Sequence, residues 1–299
     1  MVTLNEQICP SCGGQSSAIG ISFDEDVLHC QDSDLCFLKK SVRPNSANDN
    51  GWYSELRDCS QNAANNLVAE MQDSYLRQLS TLEKVSHGRN ILDVGCGIGI
   101  FLAVAKSRHW NVFGVESSEH GTYFANKHFD IQYHSSIDEF PSNTFDIVRI
   151  SHVLEHIPEP RDFLDQLHRV LKPSGILVVI VPNREPLCAM LVNRYRQLFS
   201  KKPKLAGAIY PDMHVLGFST KSLNKLVNSI KFNTVSCFTV SMGNKTYYPL
   251  FYDGLLSKTK ITNIKFKTFF KYYLPMIIDN LGNPFSKGQW IVGYFAKKE

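Results

Sequence analysis

Two groups of residues in this sequence have types and spacings that suit chemistry. The first is Leu92-Asp93-Val94-Gly95-Cys96-Gly97-Ile98-Gly99, followed by Glu116. Glycines at a strand-to-helix turn let the backbone approach a ligand closely and adopt unusual dihedral angles. The helix that follows offers free amides and the positive end of its dipole to that ligand. A dinucleotide turn has its third glycine at position 100, but Ile100 stands there. The glycines run G-x-G-x-G instead, with Asp93 two residues ahead. An acid about twenty residues further on, at the end of the next strand, is placed to accept hydrogen bonds from ribose hydroxyls. Glu116, with Ser117 beside it, holds that position. The second group is Cys9-Pro10-Ser11-Cys12 with Cys30 and Cys36, whose thiols are spaced to grip one metal ion.

The elements that must position these groups follow from hydrophobic periodicity. Leu67, Met71, Tyr75, Leu79 and Leu82 fall on one face and predict an amphipathic helix over about 60–85. From residue 89 strands and helices alternate. Asn90–Val94, Val112–Val115, Ile131–Tyr133, Phe145–Ile150 and Ile176–Val181 read as strands, the last a continuous apolar run. Residues 118–128 read as a helix. Phe163, Leu164, Leu167, Val170 and Leu171 define another, opened by Pro160 and closed by Pro173-Ser174-Gly175. A further helix is expected over 219–229 with Ser219 as its N-cap, and strands near 233–240 and 289–296 complete the sheet. Such alternation predicts a parallel α/β sheet covered on both faces. The polar, turn-prone run from Pro44 to Gly51 reads as a linker. The chain then divides into a small cysteine-bearing segment (1–45), a linker and helix (46–88), and an α/β domain (89–299) with lid insertions near 184–218 and 243–288.

S-adenosylmethionine suits the glycine turn, since it carries an amino acid end and a ribose but no pyrophosphate. Asp93 is then placed to hold its amino group, and the amides of Gly95, Cys96, Gly97 and Gly99 face the rest of the amino acid moiety. The run Ile91–Gly99 resembles the first motif of class I S-adenosylmethionine-dependent methyltransferases. Phe145-Asp146-Ile147-Val148 and His152-Val153-Leu154-Glu155-His156-Ile157-Pro158-Glu159-Pro160 resemble the fourth-strand region of the ubiquinone-type O-methyltransferase subgroup. Leu171-Lys172-Pro173-Ser174-Gly175-Ile176-Leu177 resembles the turn before that family's fifth strand. The resemblance covers about residues 75–240. It implies a Rossmann-like, seven-stranded, mostly parallel sheet with helices on both faces. It further implies that Glu116 contacts the ribose, that Ser136 replaces an acid that reads the adenine amino group, and that Ile137 packs on the adenine.

Ligands of an open parallel sheet sit beyond the carboxyl ends of its strands. That places Ser151, His152, Glu155, His156 and Asn183 near the reacting centre. Methyl transfer to a hydroxyl gains from accurate positioning and from a base that removes the hydroxyl proton. His156 and His214 are the candidate bases. His214 stands just before the helix that packs near the pocket in the proteins this chain resembles. The alternative for each is an ordering or capping role.

Cys9-Pro10-Ser11-Cys12 resembles a zinc-ribbon knuckle. Cys30 and Cys36 are the expected second pair, although five residues lie between them, and His29 is a substitute ligand. A segment this small gains from a metal staple, so the expected metal is a structural zinc. Cys59, Cys96, Cys188 and Cys237 read as isolated apolar side chains.

Composition narrows the classes. Hydrophobic residues make up 43% and charged residues 20%, and the net charge is +4. This is an ordinary globular balance with a weak electrostatic footprint for nucleic acid. No run reaches the roughly 18 apolar residues of a spanning helix, and no secretory signal is visible, so a cytoplasmic location with reduced thiols is expected. Tyr195, Phe199, Lys201, Lys202 and Lys204, and the run from Lys265 to Ile278, combine bases with aromatics. A lid is the preferred reading, with peripheral membrane contact as the alternative. The function expected is methyl transfer from S-adenosylmethionine to a small-molecule acceptor, most simply a hydroxyl of a metabolite or sugar. The alternatives are an RNA base methyltransferase and a non-catalytic cofactor-binding protein. Ile100 and Asp93 argue against a nicotinamide dehydrogenase.

Overall fold

The computed structural model describes residues 8–39, 59–207, 209, 214–241 and 274–298. The expected linker from Pro44 to Gly51, most of the second insertion and the basic aromatic run up to Tyr273 lie outside the described residues. Three strands, β1 (Ser16–Ser22), β2 (Glu25–Cys30) and β3 (Cys36–Leu38), form an antiparallel ribbon. Helix α1 (Gln61–Val85) begins where the Ser60 side chain accepts a hydrogen bond from Ala63 N. It buries Met71, Leu79 and Leu82, as the periodicity predicts.

The α/β body follows: β4 (Asn90–Val94), α2 (Ile100–Ser107), β5 (Asn111–Val115), α3 (Glu119–Phe129), β6 (Tyr133–His134), β7 (Phe145–Ser151), α4 (Pro160–Val170) and β8 (Leu171–Pro182). Then come α5 (Leu187–Gln197), β9 (Leu216–Gly217), α6 (Thr220–Ser229), β10 (Phe232–Val240), α7 (Leu274–Gly282) and β11 (Trp290–Lys297). The main sheet has seven strands in the order β10-β11-β8-β7-β4-β5-β6. Strands β8 through β6 run parallel, and β11 and β10 are antiparallel additions. This is the Rossmann-like architecture that the sequence resemblance implies. Strand β8 starts at Leu171, earlier than the apolar run suggests. Leu171 already pairs with Phe145, and the register then shifts so that Ile176 pairs with Ile147. The intervening Lys172 is held by Asp146 at 3.0 Å.

Side chains alternate across this sheet with the period of two expected of strands. Leu92, Val148, Ile150, Leu177 and Val179 enter the core that also contains Leu164, Leu167, Leu223 and Leu226 from α4 and α6. Ile91, Ile147, Val178 and Ile180 enter the opposite core with Leu79 and Leu82 of α1 and Phe101 and Leu102 of α2. The ribbon shares the first of these cores through Cys9, Val27, Leu35 and Leu38. Its third strand pairs with β9, Cys36 opposite Gly217 and Phe37 opposite Leu216. The first insertion also leans on it: Ile21 N donates to Pro203 O at 3.0 Å, and Leu205 N to Ile21 O at 2.8 Å. Among the described residues no helix is long and apolar enough to cross a membrane.

Candidate functional site

The turn from β4 to α2 has Gly95, Gly97 and Gly99 in the left-handed region, with φ of 71°, 56° and 75°. Two of them also have no room for a side chain. A Cβ on Gly95 would lie 2.4 Å from Val153 Cγ2, and one on Gly99 would lie 2.3 Å from Tyr133 Oη. Gly99 is the N-cap of α2, with no side chain satisfying the first amides of the helix. The turn hangs from β5, since Gly95 N donates to Val115 O at 2.8 Å. The Cys96 thiol points back under the turn to Val115 O at 3.5 Å, and burial drives it far above the ordinary thiol range. The backbone of Cys96 belongs to the turn, and its sulfur is filling.

Glu116 closes the other side. Its Oε2 accepts from Gly97 N at 2.7 Å, and its Oε1 accepts from Ser117 N and Ser118 N, each at 2.9 Å. Three amides thus fix a half-buried carboxylate at the carboxyl end of β5. A cleft of about 430 Å³ borders it, lined by Ser117, Tyr123, Tyr133 and His134 among others.

Asp93 sits differently from its neighbours. It is 1% exposed and faces the α1/α2 side of the sheet. Arg149 Nη1 donates to both of its oxygens, at 2.8 and 3.0 Å. The two residues are register partners across β4 and β7, and the guanidinium rests over Phe101 at 4.3 Å and Tyr75 at 5.9 Å. Burial pushes the Asp93 carboxyl up, and the Arg149 charge opposes that rise. Arg149 was missed in the sequence. The signal was present: a lone base within the apolar strand Phe145–Ser151, four residues past the start of a strand that flanks Asp93.

After β6, Ser136 caps the short 3₁₀ turn Ile137–Glu139 and accepts from Asp138 N at 3.1 Å. Glu139, also missed, gathers Ser135 N at 2.8 Å, Ser136 N at 3.1 Å and His134 Nδ1 at 2.9 Å. Those hydrogen bonds hold its carboxyl down at about 2. Ile137 is buried in the sheet core.

Beyond β7 the chain assembles a second cluster. Ser151 ends the strand, and His152 follows with φ of 58°, its amide donating to Ile180 O at 2.9 Å. This bend brings His152 Nδ1 to 3.3 Å from Glu155 Oε1. Glu155 is 1% exposed, and neither carboxylate oxygen makes a hydrogen bond among the described residues. His214 Nε2 lies 4.0 Å from the same oxygen, and the His156 and His214 rings meet edge to face at 4.9 Å. The structure therefore brings the two candidate bases, 58 positions apart in the sequence, onto one buried acid. Ligand atoms of Glu155, His156 and His214 all lie within 4.8 Å of one another, a separation that suits a cation. Val215 N donates to Glu155 O at 2.9 Å, which pins the residue after His214 to this turn. Asn183 is elsewhere engaged: its side-chain amide donates to Gly288 O at 2.7 Å and its oxygen accepts from Glu185 N at 3.0 Å, tying β8 to the loop before β11.

In the ribbon, the sulfurs of Cys9, Cys12 and Cys30 lie within 4.8 Å of one another. Cys36 is not brought to them. It is buried in β3, where burial pushes its thiol up to about 12 against the pull of Arg184. His29 is not brought there either, since its Nε2 meets Asp34 Oδ1 at 3.1 Å.

Comparison with known proteins places this geometry. Residues 64–236, more than half of the chain, match the family described as a methyltransferase domain. The mitochondrial ubiquinone biosynthesis O-methyltransferase of Schizosaccharomyces pombe is 35% identical over 115 residues, which is 35% of this chain and 42% of that protein. The ubiquinone biosynthesis O-methyltransferase of Actinobacillus pleuropneumoniae serotype 7 is 31% identical over 118 residues, 35% of this chain and 50% of that protein. The chain thus spans about half the length of these curated relatives. Among solved structures, phosphoethanolamine N-methyltransferase 2 of Haemonchus contortus in complex with S-adenosyl-L-methionine aligns with a TM-score of 0.54 and 16% identity, covering 88% of this chain and 62% of that one. A complex between the Haloferax volcanii Trm112 methyltransferase activator and a methyltransferase aligns with a TM-score of 0.51 and 13% identity, over 81% and 97%. Both structural likenesses speak to the fold alone.

Proposed function

The chain belongs to the methyltransferase-domain family, and from that premise we propose that it transfers a methyl group from S-adenosylmethionine to a hydroxyl of a small-molecule acceptor. The observation that carries this reading is the contact of Gly97 N with Glu116 at 2.7 Å, between a turn of three left-handed glycines and a carboxylate on the adjacent strand. The residues present fit the cofactor. Val153 and Tyr133 pack where a Cβ on Gly95 and Gly99 would stand, which keeps these turn positions glycine. Glu116 presents a carboxylate held by amides, suited to ribose hydroxyls. The first amides of α2 suit the carboxylate of an amino acid. When bound, S-adenosylmethionine supplies a methyl group on a positively charged sulfur. Gly95, Cys96, Gly97 and Gly99 would face its amino acid end by their backbone, with Ser117, Ser136, Ile137, Ser151 and His152 bordering the rest. Asp93, buried with both oxygens taken by Arg149, would support the turn from beneath.

For the acceptor, the Glu155 cluster provides the proton chemistry. A buried carboxylate next to an imidazole favours the imidazolium that forms when the ring takes a proton. His156 and His214 share that carboxylate, so either ring can remove the hydroxyl proton and leave its charge stabilised beside Glu155. The names of the ubiquinone-type relatives favour an oxygen acceptor. We assign a structural zinc ion to Cys9, Cys12 and Cys30, whose thiol sulfurs have the softness and separation such an ion takes.

The test is a calorimetric titration with S-adenosylmethionine and S-adenosylhomocysteine, followed by mass-spectrometric detection of methylated products. Phenols, sugars, amines and RNA serve as acceptors. Cofactor binding with oxygen methylation is the expected result. An absence of binding to either cofactor form would overturn the reading.

A further inference from the structure

The two turns that carry the ribbon cysteines repeat one backbone pattern. In the first, Gly13 N donates to Cys9 O at 2.9 Å, Cys9 N to Gly14 O at 2.9 Å, and Gly14 N to Cys12 Sγ at 3.4 Å. In the second, Asp34 N donates to Cys30 O at 2.8 Å, Cys30 N to Leu35 O at 3.0 Å, and Leu35 N to Ser33 Oγ at 3.2 Å. The residue that turns the chain is left-handed in both, Gly13 at 73° and Asp34 at 63°. Position for position, Cys30 answers to Cys9 and Ser33 answers to Cys12. The two sequences, Cys9-Pro10-Ser11-Cys12 and Cys30-Gln31-Asp32-Ser33, share only their first cysteine.

The repeated turns face each other. Cys12 Sγ stands 3.5 Å from Cys30 Sγ, and Ser33 Oγ stands 3.1 Å from Cys9 Sγ. A zinc–sulfur bond of about 2.3 Å requires tetrahedral edges of about 3.8 Å between sulfurs, so a small outward movement of these four side chains admits the ion. Ser33 is 2% exposed and its hydroxyl points into the cluster. Cys36, three residues further on, is carried away into β3, where it pairs with Gly217.

We propose that the fourth position of this metal site belongs to Ser33, making a site of three thiolates and one hydroxyl oxygen. The proposal rests on the assignment of zinc to Cys9, Cys12 and Cys30. The ion displaces the protons of the three thiols as it binds. An oxygen is a weaker partner than sulfur for a borderline-soft ion, so this corner of the site is the replaceable one. The ion closes the turn that joins β2 to β3, and β3 carries the pairing to β9, which begins two residues past His214.

The experiment uses the full-length protein, with zinc content measured by atomic emission and affinity by competition against a chromophoric chelator. Cobalt replacement reads the number of thiolates from the intensity of the sulfur-to-metal charge-transfer band. The parent should hold one zinc and show a three-thiolate band. Ser33→Cys should bind zinc more tightly and raise the band by a third. Ser33→Ala should weaken zinc binding by about 10–100-fold. Cys36→Ser should leave affinity and band unchanged. A band that falls in Cys36→Ser, or zinc affinity unchanged in both Ser33 variants, would overturn the assignment of Ser33 while leaving the zinc intact. Weakening in Asp32→Asn with none in Ser33→Ala would do the same in favour of the Asp32 carboxylate. A parent protein free of zinc that gives no cobalt band, or that carries a Cys12–Cys30 disulfide by mass after reducing purification, would sink the zinc assignment itself.

Discussion

Arg149 Nη1 reaches both oxygens of Asp93, at 2.8 and 3.0 Å, from the neighbouring strand directly beneath the glycine turn. Removing the base leaves a carboxylate that is 1% exposed with no opposite charge beside it. Breaking a buried pair from one side typically costs about 3–5 kcal/mol. Arg149→Met should lose stability of that order in chemical denaturation, and Asp93→Asn in the same background should recover part of it. The loss should depend on pH. Burial raises the Asp93 carboxyl above its unfolded value of about 3.9, so the folded state binds more protons than the unfolded one and stability falls as pH rises. That fall should be steeper in Arg149→Met than in the parent protein between the carboxylate range and neutrality. A flat profile would show that the Asp93 carboxylate finds another partner.

Gly99 combines a left-handed φ of 75° with a side-chain space filled by Tyr133 Oη at 2.3 Å and Ala125 at 3.1 Å. A left-handed residue with a Cβ costs about 1–2 kcal/mol, and forcing it into packed atoms costs about 1–3 kcal/mol more. Gly99→Ala should therefore lower the thermal midpoint measurably and also weaken cofactor binding, because Tyr133, which it displaces, lines the cleft beside Glu116. A stable variant with parental cofactor affinity would show that the turn is looser than its contacts indicate.

Much of this was legible in the sequence because period and spacing are local signals. The amphipathic face of α1, the Pro160 start of α4 and the Ser219 cap of α6 were each read from a few residues and found in place. Their alternation predicts the parallel part of the sheet, and the family resemblance implies its seven strands. What escaped depends on partners distant in sequence. Nothing local says that Asp93 meets Arg149, or that His156 and His214 converge on Glu155. Strand β8 was read too short, because Pro173 and Gly175 look like a full stop when they form only a bulge. Residue type alone points to Cys36 as a ligand, whereas the backbone repeat behind our proposal for Ser33 exists only once the chain is folded.

Glu116 should be separable into two roles by two substitutions. Its carboxylate takes three backbone amides and, on our reading, the ribose hydroxyls as well. Glu116→Ala removes a charged acceptor, which is worth about 1.5–3 kcal/mol, so cofactor affinity in calorimetry should fall by roughly 10–150-fold. Glu116→Gln keeps one acceptor oxygen and should fall between the two. Unchanged affinity in Glu116→Ala would remove this residue from the cofactor site.

Asp34 joins the ribbon to the α/β body. Arg184 Nη2 and His29 Nε2 each lie 3.1 Å from its Oδ1, and Ser219 Oγ donates to its Oδ2. Burial works against the charge, yet hydrogen bonds from His29 and Ser219 and the Arg184 guanidinium hold the carboxyl well below its usual range. A depressed acid contributes stability that is present above its unfolded value of about 3.9 and lost as pH falls below it. Asp34→Asn should cost about 1.5–3 kcal/mol at neutral pH and narrow its gap to the parent in acid. Denaturation curves at pH 7 and pH 3 check this, and a gap independent of pH would show that the contribution is not ionic.

Glu155 is the residue through which the two candidate bases are coupled, so its substitution tests the mechanism more sharply than either histidine alone. It is 1% exposed, 3.3 Å from His152 Nδ1 and 4.0 Å from His214 Nε2. Glu155→Gln keeps the shape and removes the charge that favours an imidazolium. If a histidine removes the acceptor proton, kcat should fall by about 10²–10⁴-fold in His156→Ala or His214→Ala, the range of general base catalysis, with cofactor affinity preserved. Glu155→Gln should lower kcat as well, because the negative charge beside the rings is gone. The measurement is turnover on an acceptor found in the product screen. Parental rates in both histidine variants would leave positioning alone to account for catalysis, and a parental kcat in Glu155→Gln would detach the buried acid from the proton transfer.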